Sequence, residues 1–307
     1  MTILAEAEWT ARAAAHRDRV TPWVQPRLER RARGHKHPVD DFLFEYYSFR
    51  PGRLLQWHPG LGIVLAGDAA RDYLAHPGYA ATPDGVTATP ALTEARLRAL
   101  SRVIDLLDRT AAREPRWGCF ALHEWAMVYR LAPDDVRHPA WPLRLGAEAT
   151  DDIVRTLPLR CTHYDAVRFF TADALPLNET RPVPTRERQL ELEQPGCLHA
   201  TMDLYRWTAM FDVLVGSDLV ADAFALAREV RALDMAASPY DLVELGVEPV
   251  PVETPEGRAA FVIAQRAIAE QGQRLRARVR AALVAIPQPS SRAPDAPDQA
   301  SGTPQGV

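Results

Sequence analysis

Residues 197–207 read C-L-H-A-T-M-D-L-Y-R-W, and this stretch decides the fold. On a helix, His199 and Asp203 stand four residues apart and share a face, with Arg206 and Trp207 one turn further on. Leu198, Met202, Leu204 and Tyr205 crowd the same helix, so it is expected to be buried nearly all round. An idle ion pair in such a place is costly. A buried helix of this kind needs other helices packed around it.

The flanking sequence supplies them. This helix is expected over roughly 197–215, and further helices over roughly 186–194 and 218–236, the last with Ser217 as N-cap. Thr254-Pro255 opens a long last helix reaching about Ile286. Upstream, Leu97, Leu100, Ile104 and Leu107 form one helical stripe between Thr93 and Arg113. G-C-F-A-L-H-E-W-A-M-V-Y-R, residues 118–130, is apolar almost all round and reads as a buried core segment. A helix is expected from His37-Pro38 to Arg50, stopped by Pro51-Gly52, with Asp40 and Asp41 in its first turn. Residues 5–33 read as helical, broken near Pro22 and Pro26. Residues 131–160 are broken by prolines and read as loop. The run I-V-L-A and the turn T-P-D-G-V-T mark a small β element within 60–90. The expected fold is thus mainly α, a helical single domain with a small β insertion near residues 60–90. Its parts are a basic N-terminal arm or helix (1–36), a main helical domain (37–286) and a disordered Pro/Ser/Gln-rich tail (287–307).

Composition narrows the classes. No apolar run approaches the length of a membrane span, and the N-terminus lacks the apolar stretch of a signal peptide. Three cysteines argue against a disulfide framework and for a reducing, cytoplasmic setting. The net charge is −4, yet residues 12–36 carry seven arginines and Lys36 against Asp18 and Glu29. Such a stripe can track the phosphates of DNA or simply solvate a helix face. Oligomeric state is not legible.

Four segments carry ionisable groups among apolar residues. Around His199 and Asp203, the pair suits shared metal ligation or an imidazole–carboxylate dyad. In C-T-H-Y-D, residues 161–165, Thr162 and Asp165 have capping-box spacing, which leaves His163 unexplained. His123-Glu124 would be buried together and needs partners; Glu124 is a candidate general base or ligand. Along the 37–50 helix, Glu45 sits amid Phe42, Phe44, Tyr46 and Tyr47, a fourth candidate carboxylate. Each cysteine also lies near a histidine: Cys119 before His123, Cys161 before His163, Cys197 before His199. Imidazole and thiolate suit zinc or iron, but no C-x-x-C or H-x-x-x-H spacing occurs, so His123, His163 and His199 with carboxylates are the favoured ligands. Finally, P-G-L-G at 59–62 is similar to the hairpin of helix-hairpin-helix glycosylases, whose catalytic Asp would fall near Asp84. Asp84 already serves a P-D-G turn, and the turn reading is preferred.

Taken together, H-P-V-D-D-F-L-F-E-Y-Y-S-F-R-P, W-H-P-G-L-G-I-V-L-A-G, G-C-F-A-L-H-E-W-A-M-V-Y-R, R-C-T-H-Y-D-A-V-R-F-F-T, Q-P-G-C-L-H-A-T-M-D-L-Y, A-L-D-M-A-A-S-P-Y-D-L and E-T-P-E-G-R-A-A-F resemble an actinobacterial family usually labelled 3-methyladenine DNA glycosylase. The resemblance spans most of residues 20–285. It implies a DNA-repair enzyme that extrudes an alkylated purine, stacks it and cleaves its N-glycosidic bond. On that reading Asp203 or Asp165 is the carboxylate, and Trp207, Trp125 or Tyr164 the stacking surface. Arg206 contacts substrate, residues 12–36 grip DNA, and no cofactor is needed. The alternative from the residues themselves is a zinc- or non-haem-iron-dependent hydrolase or oxygenase acting on a small molecule. There His123, His163 and His199 supply nitrogens, and Glu124, Asp165 or Asp203 oxygens. A non-catalytic helical binding protein is the third class.

Overall fold

A computed structural model describes residues 1–287 apart from Ala91, Pro133 and Asp134; the expected tail falls, beyond Pro287, outside the described residues. The chain is mainly α-helical with one small sheet. It begins with β1 (Thr2–Leu4) and α1 (Glu6–Ala32), which runs unbroken through Pro22 and Pro26. Two anchors hold α1 across the lost backbone hydrogen bonds. Val20 and Val24 are fully buried in the main core, and Arg27 and Arg30 both pair with Asp41. These two arginines of the basic stripe are therefore built into the body, whereas Arg17, Arg31, Arg33 and Lys36 are exposed. Arg12 and Arg19 are spent on Glu8 and Asp222.

The helix expected over 37–50 shrinks to α2 (Phe42–Tyr46). The first turn is lost because His37 Nδ1 accepts from the backbone N–H groups of Val39 and Asp40, while the His37 N–H donates to Asp41. Pro51 does not end a helix but starts one, α3 (Pro51–Leu55), in the position where its missing N–H costs nothing. The β insertion follows: β2 (Ile63–Leu65), a short 3-10 helix, β3 (Tyr79–Thr82) and β4 (Gly85–Ala88). The strand order is β1-β2-β4-β3, with β1 parallel to β2 and the other pairs antiparallel. Leu4, Trp9, Trp57, Leu65 and Val86 form a separate small core beneath it.

Helix α4 (Glu94–Ala111) is capped by the Thr93 side chain. The apolar segment at 118–130 holds only a single buried turn, α5 (Leu122–Ala126), entered through left-handed Phe120 and Ala121. The supposed loop region contains α6 (Gly146–Thr156), whose buried Thr150 and Val154 are its only core-facing signal. Then come α7 (Tyr164–Val167), α8 (Gln189–Leu192), α9 (Leu198–Ala209), α10 (Asp212–Val215), α11 (Ser217–Ala236) and α12 (Pro255–Val284). Thr254 caps α12 through its side chain as expected. Ser217 does not cap α11. Its hydroxyl donates to the Gln56 carbonyl and accepts the His58 N–H, tying the insertion to α11. The P-G-L-G turn serves the same junction: the Leu61 N–H donates to Leu214 O, and Gly60 and Gly216, both at positive φ, pass in van der Waals contact.

Eleven of the twelve residues of α9 are buried, Arg206 excepted, so this helix is the axis about which α11 and α12 pack. α12 crosses it closely enough that a Cβ at Gly272 would meet Thr201 Oγ1 at 2.7 Å and Cγ2 at 2.9 Å. Thr201 is β-branched, so rotating one branch away brings in the other. Gly272→Ala is expected to cost about 1–3 kcal/mol by overpacking, read as a lowered denaturation midpoint at unchanged m-value. A neutral result would mean the helices are not in this contact.

Candidate metal centre

The buried axis helix α9 carries His199 and Asp203 toward four other elements. His163 sits just before α7, in the residue that starts that helix. His123 lies on α5, Asp234 near the end of α11, and Glu193 just past α8. None of these six residues is more than 6% exposed. The rings of His123 and His199 meet edge to face at 4.6 Å, and those of His163 and His199 lie nearly parallel at 5.1 Å. His199 is thus the middle of a row of three imidazoles.

Carboxylates face the row from both ends. His123 Nε2 is 2.8 Å from Asp234 Oδ1. His163 Nδ1 is 3.5 Å from Glu193 Oε2, and its Nε2 3.8 Å from Asp203 Oδ2. Two three-residue ligand sets result, His123–His199–Asp234 and His163–Glu193–Asp203, each with donor atoms within 4.8 Å of one another. Around them, hydrogen bonds are orderly. Tyr47 donates to Asp203 Oδ1 at 2.7 Å, Gln189 to Glu193 at 2.8 Å, and Arg231 to Asp234 Oδ2 at 3.0 Å.

Inside, they are not. His123 Nε2, both ring nitrogens of His163, Asp203 Oδ2 and Asp234 Oδ1 have no hydrogen-bond partner among the described residues. His123 Nε2 and Asp234 Oδ1 nonetheless stand 2.8 Å apart, an ion-pair distance when the imidazole is protonated. Leaving one buried polar atom unpaired costs about 1–3 kcal/mol, so five in one cluster require a common explanation.

The charges of the cluster are tightly linked. Burial alone would lower the proton affinity of His123, but Asp234 and Cys119 outweigh it and raise it. The same contest, against Glu193 and Asp203, raises His163. His199 is driven well below its ordinary value by burial and by the neighbouring His123. Burial pushes Asp203 up to about 6, against the pull of His163.

A third set, Cys119–His123–Cys161, uses the opposite face of His123: Cys119 Sγ lies 3.6 Å from Nδ1. A hydrogen bond from Cys161 brings the Cys119 thiol down to about 5. This sulfur is well placed to accept from Nδ1 and so aim Nε2 inward, the usual outer support of a ligating imidazole. Cys161 Sγ is turned to the His163 carbonyl.

The other expected site residues lie elsewhere. His199 and Asp203 make no direct dyad; each faces a different ligand set. Glu124 is held by Arg231 at 2.7 Å and points away from the imidazoles. Asp165 does not cap α7: it accepts from Tyr46 and Arg168 and lies 3.5 Å from Arg206. Glu45 is at the surface, paired with Arg27. Trp125 is fully buried with its indole N–H on Ala237 O, and Trp207 is buried beneath Arg206, so neither offers a stacking face. Tyr164 and Arg206, with Tyr46, Tyr47, Asp165 and Arg168, line an open cleft of about 570 Å³. A larger cavity of about 830 Å³, near His37, Glu45 and His138, touches none of these five atoms, although His138 Nε2 is itself buried without a partner among the described residues.

Asp234, Glu193 and Tyr47 were missed in the sequence. Asp234 had a signal: it continues the buried stripe Ala223, Ala227, Val230 of α11, where a carboxylate needs a reason. Glu193 had none, lying in a run of charged residues. Compared with protein-family models, curated proteins and solved structures, the chain matches none.

Arg231 is buried between Glu124 and Asp234. Arg231→Met strands both carboxylates and is expected to destabilise the protein by about 3–5 kcal/mol, with Arg231→Lys recovering part of the loss in chemical denaturation. Equal stability of the methionine variant would show that these carboxylates are neutral.

Proposed function

We propose that the protein is a metal-dependent enzyme whose centre is formed by His123, His199 and Asp234 beside His163, Glu193 and Asp203. The observation that carries this reading is the set of five buried nitrogen and oxygen atoms without hydrogen-bond partners, all turned into one cluster. A divalent cation in each set would take one nitrogen of each imidazole and the facing carboxylate oxygens, with the second His163 nitrogen left to carry the ring proton, and a carboxylate-rich buried site provides the negative charge it needs. Imidazole and carboxylate donors suit zinc, iron or manganese, and two imidazoles with one carboxylate leave positions open for water, substrate or dioxygen. Zinc or manganese would make bound water a nucleophile and the reaction a hydrolysis; iron would make it an oxygenation. The sulfur atoms stay outside the ligand sets in this reading, with Cys119 positioning His123.

Elemental analysis of purified protein tests it. Stoichiometric zinc, iron or manganese is expected, one ion or two per chain as one or both sets fill. His199→Ala and Asp234→Asn should empty the first set, Glu193→Gln the second, with the fold monitored by circular dichroism. Metal-free protein that releases 3-methyladenine from alkylated DNA would contradict the proposal and support the glycosylase that the family resemblance implies.

A further inference from the structure

The cleft of about 570 Å³ at the mouth of α2, α7 and α9 has an unusual balance of charge. Three guanidinium groups, Arg168, Arg186 and Arg206, line it, against the single carboxylate of Asp165. Asp165 is already engaged by Arg168, by Arg206 and by the Tyr46 hydroxyl. Arg186 is exposed, and its guanidinium has no ion-pair partner among the described residues. Arg206 is also the one residue of α9 that is not buried. The helix that supplies His199 and Asp203 to the centre thus sends a cation out into the cleft.

The cleft connects to the centre through one side chain. Tyr47 lines it and donates its hydroxyl to Asp203 Oδ1 at 2.7 Å, while Asp203 Oδ2 is one of the unpaired atoms facing His163. Tyr46 and Tyr164 form further walls, so the floor beside the arginines is phenolic and partly apolar. From this arrangement we infer that the cleft binds a small oxyanion-bearing molecule, its phosphate or carboxylate group held by Arg186 and Arg206 and its remainder laid against Tyr47 and Tyr164. Planar guanidinium donors match both oxyanions bidentately. Calling this molecule the substrate rests on the metalloenzyme reading; the anion site itself does not.

Calorimetric titration of the full-length protein at low salt with inorganic phosphate, and separately with benzoate, tests the inference. Saturable binding of at least one is expected, the tighter one identifying the oxyanion as phosphoryl or carboxylate. Arg186→Gln and Arg206→Gln should each weaken it by about ten-fold, the loss of one good charge-assisted contact. Arg12→Gln, on the far exposed pair with Glu8, should leave it unchanged. The Arg186 guanidinium makes no hydrogen bond or ion pair among the described residues, so its variant is expected to fold and to keep the wild-type metal content. Affinity unchanged in Arg186→Gln, or no saturable binding by wild type, would overturn the inference. Anion binding by a metal-free protein would uphold the cleft while removing the metalloenzyme reading, and bound metal without anion binding would do the reverse.

Discussion

Ionised groups taken out of water must be compensated where they lie, and this constraint organises the whole centre of the molecule. Asp234, Asp203, Glu193 and Glu124 are all buried inside a helical core. Glu124 and half of Asp234 are answered by Arg231, itself almost fully buried and packed over Phe42 at 3.9 Å. The other oxygen of Asp234, one oxygen of Asp203 and three imidazole nitrogens face only one another and Glu193, at 2.8–3.8 Å, without a hydrogen bond among the described residues. On the proposed reading, bound cations complete the compensation.

The two readings of the sequence divide on this point. Glycosylase chemistry needs a stacking face and a single carboxylate, and the buried positions of Trp125 and Trp207 leave Tyr164 to supply the face. Metal chemistry would use the imidazole row and three carboxylates, Asp234 at one end of it and Glu193 and Asp203 at the other. The open cleft serves the second arrangement well, because Tyr47 places one wall of it directly on Asp203.

Much of the fold was legible because it is local. The largely apolar helix at 197–207, the stripe of α4 and the Thr254-Pro255 start of α12 each follow from a few adjacent residues, and each is present. What escaped depends on distant partners. β1 exists only because Thr2–Leu4 finds Ile63–Leu65. α1 survives its prolines because Val20 and Val24 are buried by other elements. α2 loses a turn to the His37 side chain. The three histidines of the centre could be picked out, since each interrupts an apolar segment, and the structure brings all three together. Their carboxylate partners could not. Asp165 and Glu124 stand beside histidines in sequence but turn to arginines, whereas Asp234 and Glu193 reach the row only through the packing of α11 and α8.

X-ray absorption at the edge of the bound metal tests the central claim most directly, because it reads the donor atoms themselves. Imidazole and carboxylate ligation predicts nearest neighbours that are all nitrogen or oxygen, at about 2.0–2.2 Å, with the outer scattering of histidine rings. A sulfur neighbour at about 2.3 Å would move the site to Cys119 and Cys161, and a protein with no metal edge at all would leave the five unpaired atoms without their cation and contradict the account.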